Sequence, residues 1–313
     1  TEEDNVTPET KNYKVEVDKD YYTVEQGKTF ELPYARAYYL NELVSDKVVG
    51  SPRIIDTNKL GVTVVTYSYQ GAKKQIKVEV IDSVSPSIPQ VVLKKENENG
   101  SIYKGGWVNT NIYALFKSTD YTKDNLNGSG VSYYEISKDG KSWTKIDGNG
   151  HLMTEDGDYN YFVRSVDQAG NVSPANSYNV KIDKKVPTCS LKVASGMLGK
   201  NGWYTSDVRV DFETIDGTGS NIIMSSVSNQ TVTGTMTVTG TVTDSAGNIG
   251  SCSIYVKVDK DKPSCSFAGE SSNWTSQNRT LTATCSDSTS GCSSSTASKQ
   301  WTYSSGTTKT AYL

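Results

Sequence analysis

The residues best suited to bind an ion lie in two nearly identical turns, residues 167–171 and 244–248. Their key residues are Asp167, Gly170 and Asn171 in the first turn and Asp244, Gly247 and Asn248 in the second. Carboxylate and amide oxygens are ligands that calcium prefers, so either turn could bind calcium at a domain edge. The alternative, which we favour, is a structural turn in which Asp accepts backbone N–H groups and Gly supplies a positive φ. We therefore predict no bound metal and no cofactor.

Residues suited to catalysis are few. The chain has one histidine, His151, and no Gly-x-Ser-x-Gly, His-Glu-x-x-His or phosphate-binding loop. Glu155 and Asp156 are adjacent carboxylates of the type that glycosidases place on either side of a sugar. They adjoin a glycine, which favours an exposed acidic turn over an acid–base pair. We predict that the chain is not an enzyme.

The best candidates for ligand binding are three tyrosines near the N-terminus, Tyr34, Tyr38 and Tyr39. Exposed aromatic rings stack on sugars and anchor protein interfaces, so a surface glycan or a protein ligand is the partner that they would fit. Tyrosine is also common on sheet surfaces, and the period-2 alternation of a strand puts Tyr38 and Tyr39 on opposite faces. A purely structural role is therefore the competing interpretation.

Charge and hydropathy argue against two other classes of partner. The net charge is −3 and no segment carries a basic block, so the electrostatic footprint of a nucleic-acid-binding protein is absent from the sequence. The longest apolar runs are a few residues, as in Val91-Val92-Leu93, which is too short to cross a bilayer. We predict no nucleic-acid partner and no membrane insertion in this segment.

All five cysteines follow residue 188: Cys189, Cys252, Cys265, Cys285 and Cys292. None forms a Cys-x-x-Cys pair, and a single histidine does not supply the clustered ligands of a zinc site. Disulfides formed in an oxidising compartment are therefore favoured over free buried thiols. Cys285 and Cys292 flank a short turn that contains Asp287 and Gly291, and they should pair locally.

These residues belong to a repeated unit. Three times a strand ends in Asp, three residues follow and then comes Pro, at residues 82–86, 183–187 and 259–263. A tryptophan follows each junction, and an Asp stands thirteen residues after each tryptophan: Trp107 and Asp120, Trp203 and Asp216, Trp274 and Asp287. This fixed spacing predicts copies of one structural unit. The junctions divide the chain into four predicted domains: residues 1–82, 83–183, 184–259 and 260–313.

Composition and periodicity predict that the unit is built from strands. Hydrophobic residues make up 35% of the chain, with 26 glycines, and β-branched and aromatic residues alternate between turn-forming clusters. Gln70-Gly71 and Asp139-Gly140 each separate two alternating segments, which is a hairpin signal. Matching apolar residues occupy one face of the strand that follows two of the tryptophans: Ile112, Ala114 and Phe116, and Val208, Val210 and Phe212. The sequence therefore predicts an all-β chain.

The junctions, the Asp-x-Ala-Gly-Asn turns and the tryptophan at the start of the second strand resemble the tandem bacterial Ig-like domains of Gram-positive extracellular proteins. Residues 83–313 carry this resemblance, whereas residues 1–82 resemble the related N-terminal modules more loosely, because Gln70-Gly71 replaces the Asp-x-Ala-Gly-Asn turn. The family implies seven-strand immunoglobulin-like β-sandwiches, an extracellular location and a role as spacer or adhesive stalk. With three residues between each closing Asp and the next Pro, we expect tandem sandwiches arranged as an elongated rod.

The resemblance also implies one disulfide and an incomplete last domain. Cys189 lies on the first strand of its domain and Cys252 begins the last, and these strands are neighbours in Ig-like sandwiches, so we pair the two cysteines. The segment 260–313 lacks the last two strands of the repeat, which leaves Cys265 unpaired or with a partner beyond the chain end. We expect the natural polypeptide to continue past Leu313, with further repeats. The alternative is that another chain donates the missing strands and completes the C-terminal domain.

From these features we expect a non-enzymatic extracellular stalk or adhesin module, secreted or at a bacterial cell surface. It would project or anchor a functional part of a larger surface protein. One alternative is a carbohydrate-binding accessory region of a secreted glycoside hydrolase, and another is a decoration protein of a phage or surface fibre.

Overall fold

The computed structural model describes residues 12–217, 219–226, 228–269, 279–292 and 298–303. In this part of the chain nearly all regular structure is strand, and the one helical element is a 3-10 turn at Lys200–Gly202. The prediction of an all-β chain is therefore confirmed. The chain divides into two compact units, Thr1–Ile182 and Asp183–Leu313, which are described separately.

The first unit begins with a sandwich of two sheets. Its strands are β1 (Tyr13–Glu16), β2 (Tyr21–Glu25), β3 (Ala35–Tyr39), β4 (Glu42–Val48), β5 (Gly50–Ser51), β6 (Gly61–Tyr69) and β7 (Ala72–Ile81). One sheet has the order β1-β3-β4 and the other β2-β7-β6-β5, with β2 parallel to β7. Val15, Ala35 and Ala37 of the first sheet share a core with Val65 and Val78 of the second, so the alternating faces pack together.

The predicted hairpin at Gln70-Gly71 joins β6 to β7. Both turn residues have a positive φ, 46° and 89°, which suits a two-residue turn between twisted antiparallel strands. The hairpin places Tyr67 opposite Lys74, and the Tyr67 ring is fully buried while its hydroxyl donates to the carbonyl of Pro33. The buried hydroxyl is thus hydrogen-bonded, as a buried polar group must be to avoid a large desolvation cost.

The second sandwich completes the first unit. Its strands are β8 (Gln90–Lys95), β9 (Trp107–Val108), β10 (Ile112–Lys117), β11 (Val131–Ser137), β12 (Thr144–Ile146), β13 (Gly150–Met153), β14 (Gly157–Asp167) and β15 (Asn176–Ile182). The sheets have the orders β8-β10-β13 and β12-β11-β14-β15-β9. The chain crosses repeatedly between two sheets that share one core, which is an immunoglobulin-like arrangement. Ile112, Ala114 and Phe116 all face this core, as their spacing predicts.

The second unit begins with a third sandwich of the same plan. Its strands are β16 (Thr188–Ser195), β17 (Trp203–Tyr204), β18 (Val208–Ile215), β19 (Ile222–Ser225), β20 (Gln230–Val232), β21 (Met236–Asp244) and β22 (Ile249–Val258). The sheets are β16-β18-β20 and β17-β22-β21-β19. Val208 and Val210 are fully buried, but Phe212 is only half-buried.

The tryptophans of the second and third sandwiches occupy equivalent positions. Trp107 begins β9, which runs parallel to the last strand of its sandwich, and Trp203 begins β17, which does the same. The ammonium of Lys181 lies 5.9 Å from the Trp107 ring, and that of Lys257 lies 5.9 Å from Trp203. Trp274 lies outside the described residues. The repeat read from the sequence is therefore a repeat of structure.

The described part of the last segment forms one three-stranded sheet, with the order β23 (Ser264–Ala268), β24 (Arg279–Ser286) and β25 (Ser298–Tyr303). Strands β23 and β24 are antiparallel, and their register places Cys265 opposite Cys285 without a bond between the two sulfurs. The four-domain division with its boundaries stays a prediction.

Candidate functional site

The Asp-x-Ala-Gly-Asn segments are structural turns. Asp167 Oδ1 accepts the Asn171 N–H at 2.8 Å, and Gly170 has a φ of 92°. Asp244 accepts the Asn248 N–H at the same distance, and Gly247 has a φ of 91°. Glycine is suited to this left-handed backbone because it has no Cβ.

The asparagine of each turn also holds the linker that precedes its sandwich. Asn171 Nδ2 donates to the Asp82 carbonyl at 2.9 Å and to Asp167 Oδ2 at 2.8 Å. Asn248 Nδ2 donates to the Asp183 carbonyl at 2.9 Å and to Asp244 Oδ2 at 2.7 Å. In each case the side-chain amide of the asparagine thus bridges the linker carbonyl and the Asp of the turn. The linker precedes the sandwich and the turn lies near its end, so the amide connects two segments that are far apart in sequence.

The closing Asp of each junction makes the same local turn. Its Oδ1 accepts the N–H two residues on: Val84 to Asp82 at 3.1 Å, Lys185 to Asp183 at 3.1 Å, and Asp261 to Asp259 at 3.0 Å. In two junctions its Oδ2 accepts a loop N–H as well: Ser129 to Asp82 at 2.7 Å and Ser290 to Asp259 at 3.0 Å. These bonds fix the linker backbone to the following segment.

The junction also brings three carboxylates together. One oxygen from each of Asp82, Asp120 and Asp167 lies within 4.8 Å of the others, and Asp183, Asp216 and Asp244 repeat this cluster in the second unit. Only one member of each cluster, Asp167 or Asp244, is a candidate ligand by its local sequence. The other two residues of each cluster are markers of the repeat in the sequence. The signal that could have identified these residues is their recurrence in the sequence. An Asp closes the strand at each junction, and another Asp stands thirteen residues after each tryptophan.

Asp120 has the most unusual environment of the first cluster. The residue is 9% exposed, and its Oδ2 accepts the Gly130 N–H at 2.7 Å. Its Oδ1 is buried and has no hydrogen-bond partner among the described residues. Burial, reinforced by the charges of Asp82 and Asp167, raises the pKa of Asp120, while the bond from Gly130 opposes the rise. A buried carboxylate in this position is costly to keep charged without a further partner.

Residues 121–130, which follow Asp120, also contact the first sandwich. Lys28 Nζ lies 3.0 Å from a carboxylate oxygen of Asp124. Leu126 closes over the turn at Gly27, where an added Cβ would lie 3.2 Å from Leu126 Cδ1. The loop therefore links the first two sandwiches directly, beside the carboxylate cluster.

The cysteines form the two pairs expected from the sequence. Cys189 is bonded to Cys252, with Cα atoms 5.7 Å apart, and Cys285 is bonded to Cys292. Cys265 is free and exposed. Because β16 and β22 lie in different sheets, the first disulfide joins the two sheets of the third sandwich. Gly240 lies opposite Cys252, and a Cβ there would come within 3.5 Å of its sulfur.

The three candidate tyrosines do not form a single platform. Tyr34 is 58% exposed and precedes β3. Tyr39 lies in the strand row of the buried Ala37, and its ring packs on Tyr13 at 5.1 Å. Tyr38 lies next to it in the other row of the strand, so the alternation predicted from the sequence separates these two rings. A ligand-binding role for them stays a prediction.

A pocket on the second sandwich contains the chain's single histidine. Ser137, Lys138, His151, Glu155 and Tyr161 are among its lining residues. Lys138 pairs with Glu155 and lies 5.7 Å from the centre of the Tyr161 ring. The hydrogen bond from Lys138 lowers the pKa of Glu155, and burial, followed by the charge of Lys138, lowers the pKa of His151. Glu155, one of the two adjacent carboxylates considered as an acid–base pair, thus forms an ion pair with Lys138.

No helix in the described ranges is long and apolar enough to span a membrane.

No family model and no curated protein matches the sequence. Several solved structures are similar. A tetra-tandem repeat from the extending region of a large adhesion protein is 12% identical, with a TM-score of 0.28, over 88% of this chain and 81% of that one. Titin domains I67–I69 are 9% identical, with a TM-score of 0.32, over 76% and 95%. The fibronectin(III)-like modules of Clostridium thermocellum CbhA are 15% identical, with a TM-score of 0.23, over 55% and 95%. At these values the similarities carry no functional argument, and the assignment of the fold rests on strand order and shared cores.

Proposed function

We propose that the chain is a non-enzymatic stalk or adhesin segment that projects or anchors a functional part of a larger extracellular polypeptide. The observation that carries this proposal is the repeated joint. The closing Asp of three junctions makes the same turn, and an asparagine of the following sandwich holds the linker carbonyl in two of them.

Such a joint suits a stalk, whose function is to hold the next domain in a defined direction and not to catalyse a reaction. A three-residue linker whose carbonyl and carboxylate are both hydrogen-bonded has few conformations left, so the next sandwich follows in a restricted direction. Two disulfides suit an oxidising, extracellular compartment. Bacterial origin and display at a cell surface are part of the proposal.

Small-angle scattering of the purified chain tests this function. A globule of this length would have a radius of gyration of about 20 Å, and we expect a clearly larger value with a scattering profile typical of a rod. Replacing Asn171 and Asn248 together by Ala should broaden the distribution of interatomic distances, since both linkers lose a bond. A radius near the globular value would overturn the proposal.

The second candidate is a carbohydrate-binding accessory region. The pocket beside His151 favours this function because its mostly apolar lining combines a tyrosine ring with charged side chains, as many ligand sites do. A glycan array distinguishes the two functions, with Tyr38→Ala and Lys138→Ala as test variants and Lys141→Ala, in the same hairpin, as control. Saturable binding that either test variant abolishes and the control retains would replace the stalk by a lectin function.

A further inference from the structure

We propose that Asp82, Asp120 and Asp167 bind one calcium ion at the joint between the first and second sandwiches. The inference is independent of the stalk function, since it concerns what occupies the cluster and not what the chain carries.

The geometry fits one ion. Calcium binds oxygen at about 2.3–2.6 Å, so two ligands on opposite sides of the ion are about 5 Å apart. The three carboxylate oxygens lie within 4.8 Å of one another, which places all three inside one coordination sphere. Magnesium usually takes only one or two protein carboxylates and retains several waters, so three converging carboxylates favour calcium.

The hydrogen bonds orient the carboxylates and leave one oxygen unused. Asp82 accepts from Val84 and Ser129, and both oxygens of Asp167 accept from Asn171. Each of these oxygens keeps a second lone pair, which is free to face a cation. Asp120 Oδ1 is buried and receives no hydrogen bond from the described part of the chain, although its neighbouring Oδ2 accepts the Gly130 N–H. An ion at the centre of the cluster satisfies this oxygen.

The ion pairs between described residues leave the cluster without a balancing cation. Among the ion pairs of the described residues of the first unit, none includes Asp82, Asp120 or Asp167, whereas exposed acids nearby, such as Asp124, do pair with lysine. Asp82 and Asp167 are 6% and 2% exposed, so water screens their repulsion poorly. Three buried carboxylates without a counter-ion are costly, and a divalent cation removes that cost.

The ligands come from three separate places. Asp82 belongs to the linker, Asp120 follows β10 and Asp167 ends β14. A bound ion would therefore connect the end of the first sandwich to two points on the second, in addition to the Asn171 bond. Calcium would stiffen a joint that hydrogen bonds already restrict.

The test is thermal unfolding of the full chain after EDTA treatment, with and without about 10 mM CaCl₂, because extracellular calcium modules bind at about 10⁻⁴–10⁻³ M. We expect calcium to raise the unfolding temperature of the first unit. Asp120→Asn, which keeps the size of the side chain, should weaken calcium binding in calorimetry by at least about tenfold, since a neutral amide oxygen replaces a charged carboxylate ligand.

Two control variants separate binding from folding. Asp124→Asn changes an exposed acid in the same loop and should keep the full calcium response of the wild type. Asp216→Asn alters the corresponding Asp of the second unit and should keep the response of the first. In EDTA, Asp120→Asn should unfold at or above the wild-type temperature, since it removes a repelling charge, and this shows that the variant folds.

Three outcomes would overturn the proposal. The first is the absence of any calcium-dependent shift in the wild type. The second is an undiminished response in Asp120→Asn, and the third is an equal response to the same concentration of MgCl₂.

Discussion

The second and third sandwiches share a strand order but differ in what fills them. The buried cluster of the second includes Phe116, Tyr134, Tyr161 and Tyr178, and the last two rings stack at 5.7 Å. The buried cluster of the third consists of six valines: Val208, Val210, Val232, Val238, Val256 and Val258. One topology is thus compatible with a large aromatic core and with a small aliphatic one.

The difference indicates what the disulfide contributes. The free energy gained on burial scales with the apolar area removed from water, and it is about 1.5–3 kcal/mol for a valine side chain. Aromatic side chains are larger, so a core of aromatic residues buries more area per residue than a core of valines. A small domain with a small core usually needs a further constraint. Cys189–Cys252 supplies that constraint across the two sheets of the third sandwich, and the second sandwich contains no cysteine at all.

The largest effect should follow removal of this disulfide. The cysteines are 63 residues apart in sequence, and the chain-entropy relation gives about 4 kcal/mol for a loop of that length. We expect Cys189→Ala with Cys252→Ala to unfold the third sandwich at much lower denaturant, as seen by hydrogen exchange in β21 and β22.

The second sandwich is the internal control, because exchange in β14 and β15 should not change. The matched variant removes Cys285 and Cys292, whose separation is only 7 residues, and the same relation gives about 2.5 kcal/mol for so short a loop. Unchanged protection of β21 and β22 in the first variant would mean that the valine core suffices by itself.

The sequence was sufficient to predict these strands because their signals are local. Alternation along one strand predicts that Ile112, Ala114 and Phe116 face the core, and they do. The hairpin at Gln70-Gly71 is predictable from its two turn residues, because the turn depends only on the φ angles that these residues adopt. Phe212 shows the limit of the pattern: it matches Phe116 in register but is half-buried, with its ring close to Gly240 and the disulfide. How much of a side chain is covered depends on the opposite sheet, which the alternation of one strand does not encode.

A smaller effect should follow loss of the asparagine that holds each linker. Asn171→Ala removes the bonds to Asp82 and Asp167, and Asn248→Ala removes those to Asp183 and Asp244. We expect each to cost about 1–3 kcal/mol, since buried acceptors lose their donor. Thermal unfolding should show the larger fractional loss in the third sandwich, whose core is smaller.

Asn179→Ala is the control for both asparagine variants. Asn179 Nδ2 also has three acceptors within hydrogen-bond distance, but it lies on an exposed strand face where water can replace them. Its loss should leave the unfolding temperature nearly unchanged. If it costs as much as Asn171→Ala, the linker bonds have no special role in the joint.

The carboxylate cluster was less predictable than the strands. The turns at Asp167 and Asp244 could be recognised because their residues are contiguous. Asp82 and Asp120 lie 85 and 47 positions before Asp167, and folding alone brings the three together. The burial of Asp120, which distinguishes an ion site from a turn, depends on the loop that packs over it.

The smallest expected effect concerns the pocket beside His151, which lies on the second sandwich. The pocket is lined in part by the hairpin between β11 and β12, which includes Lys138. Strand β12 has no counterpart in the described sheet β17-β22-β21-β19 of the third sandwich. Burial and Lys138 lower the pKa of His151, so the unfolded chain takes up the proton first as the pH falls. Stability should therefore decrease as the pH falls below about 6.5, the unfolded value.

Because His151 is the chain's only histidine, its ring signals in NMR report this titration without overlap. We expect a midpoint below the unperturbed value in the wild type. Lys138→Met should raise the midpoint, since it removes a neighbouring positive charge, whereas Lys141→Met in the same hairpin should not. An unchanged midpoint in Lys138→Met would assign the whole shift to burial. The charge of Lys138 would then have no part in setting the pKa of His151.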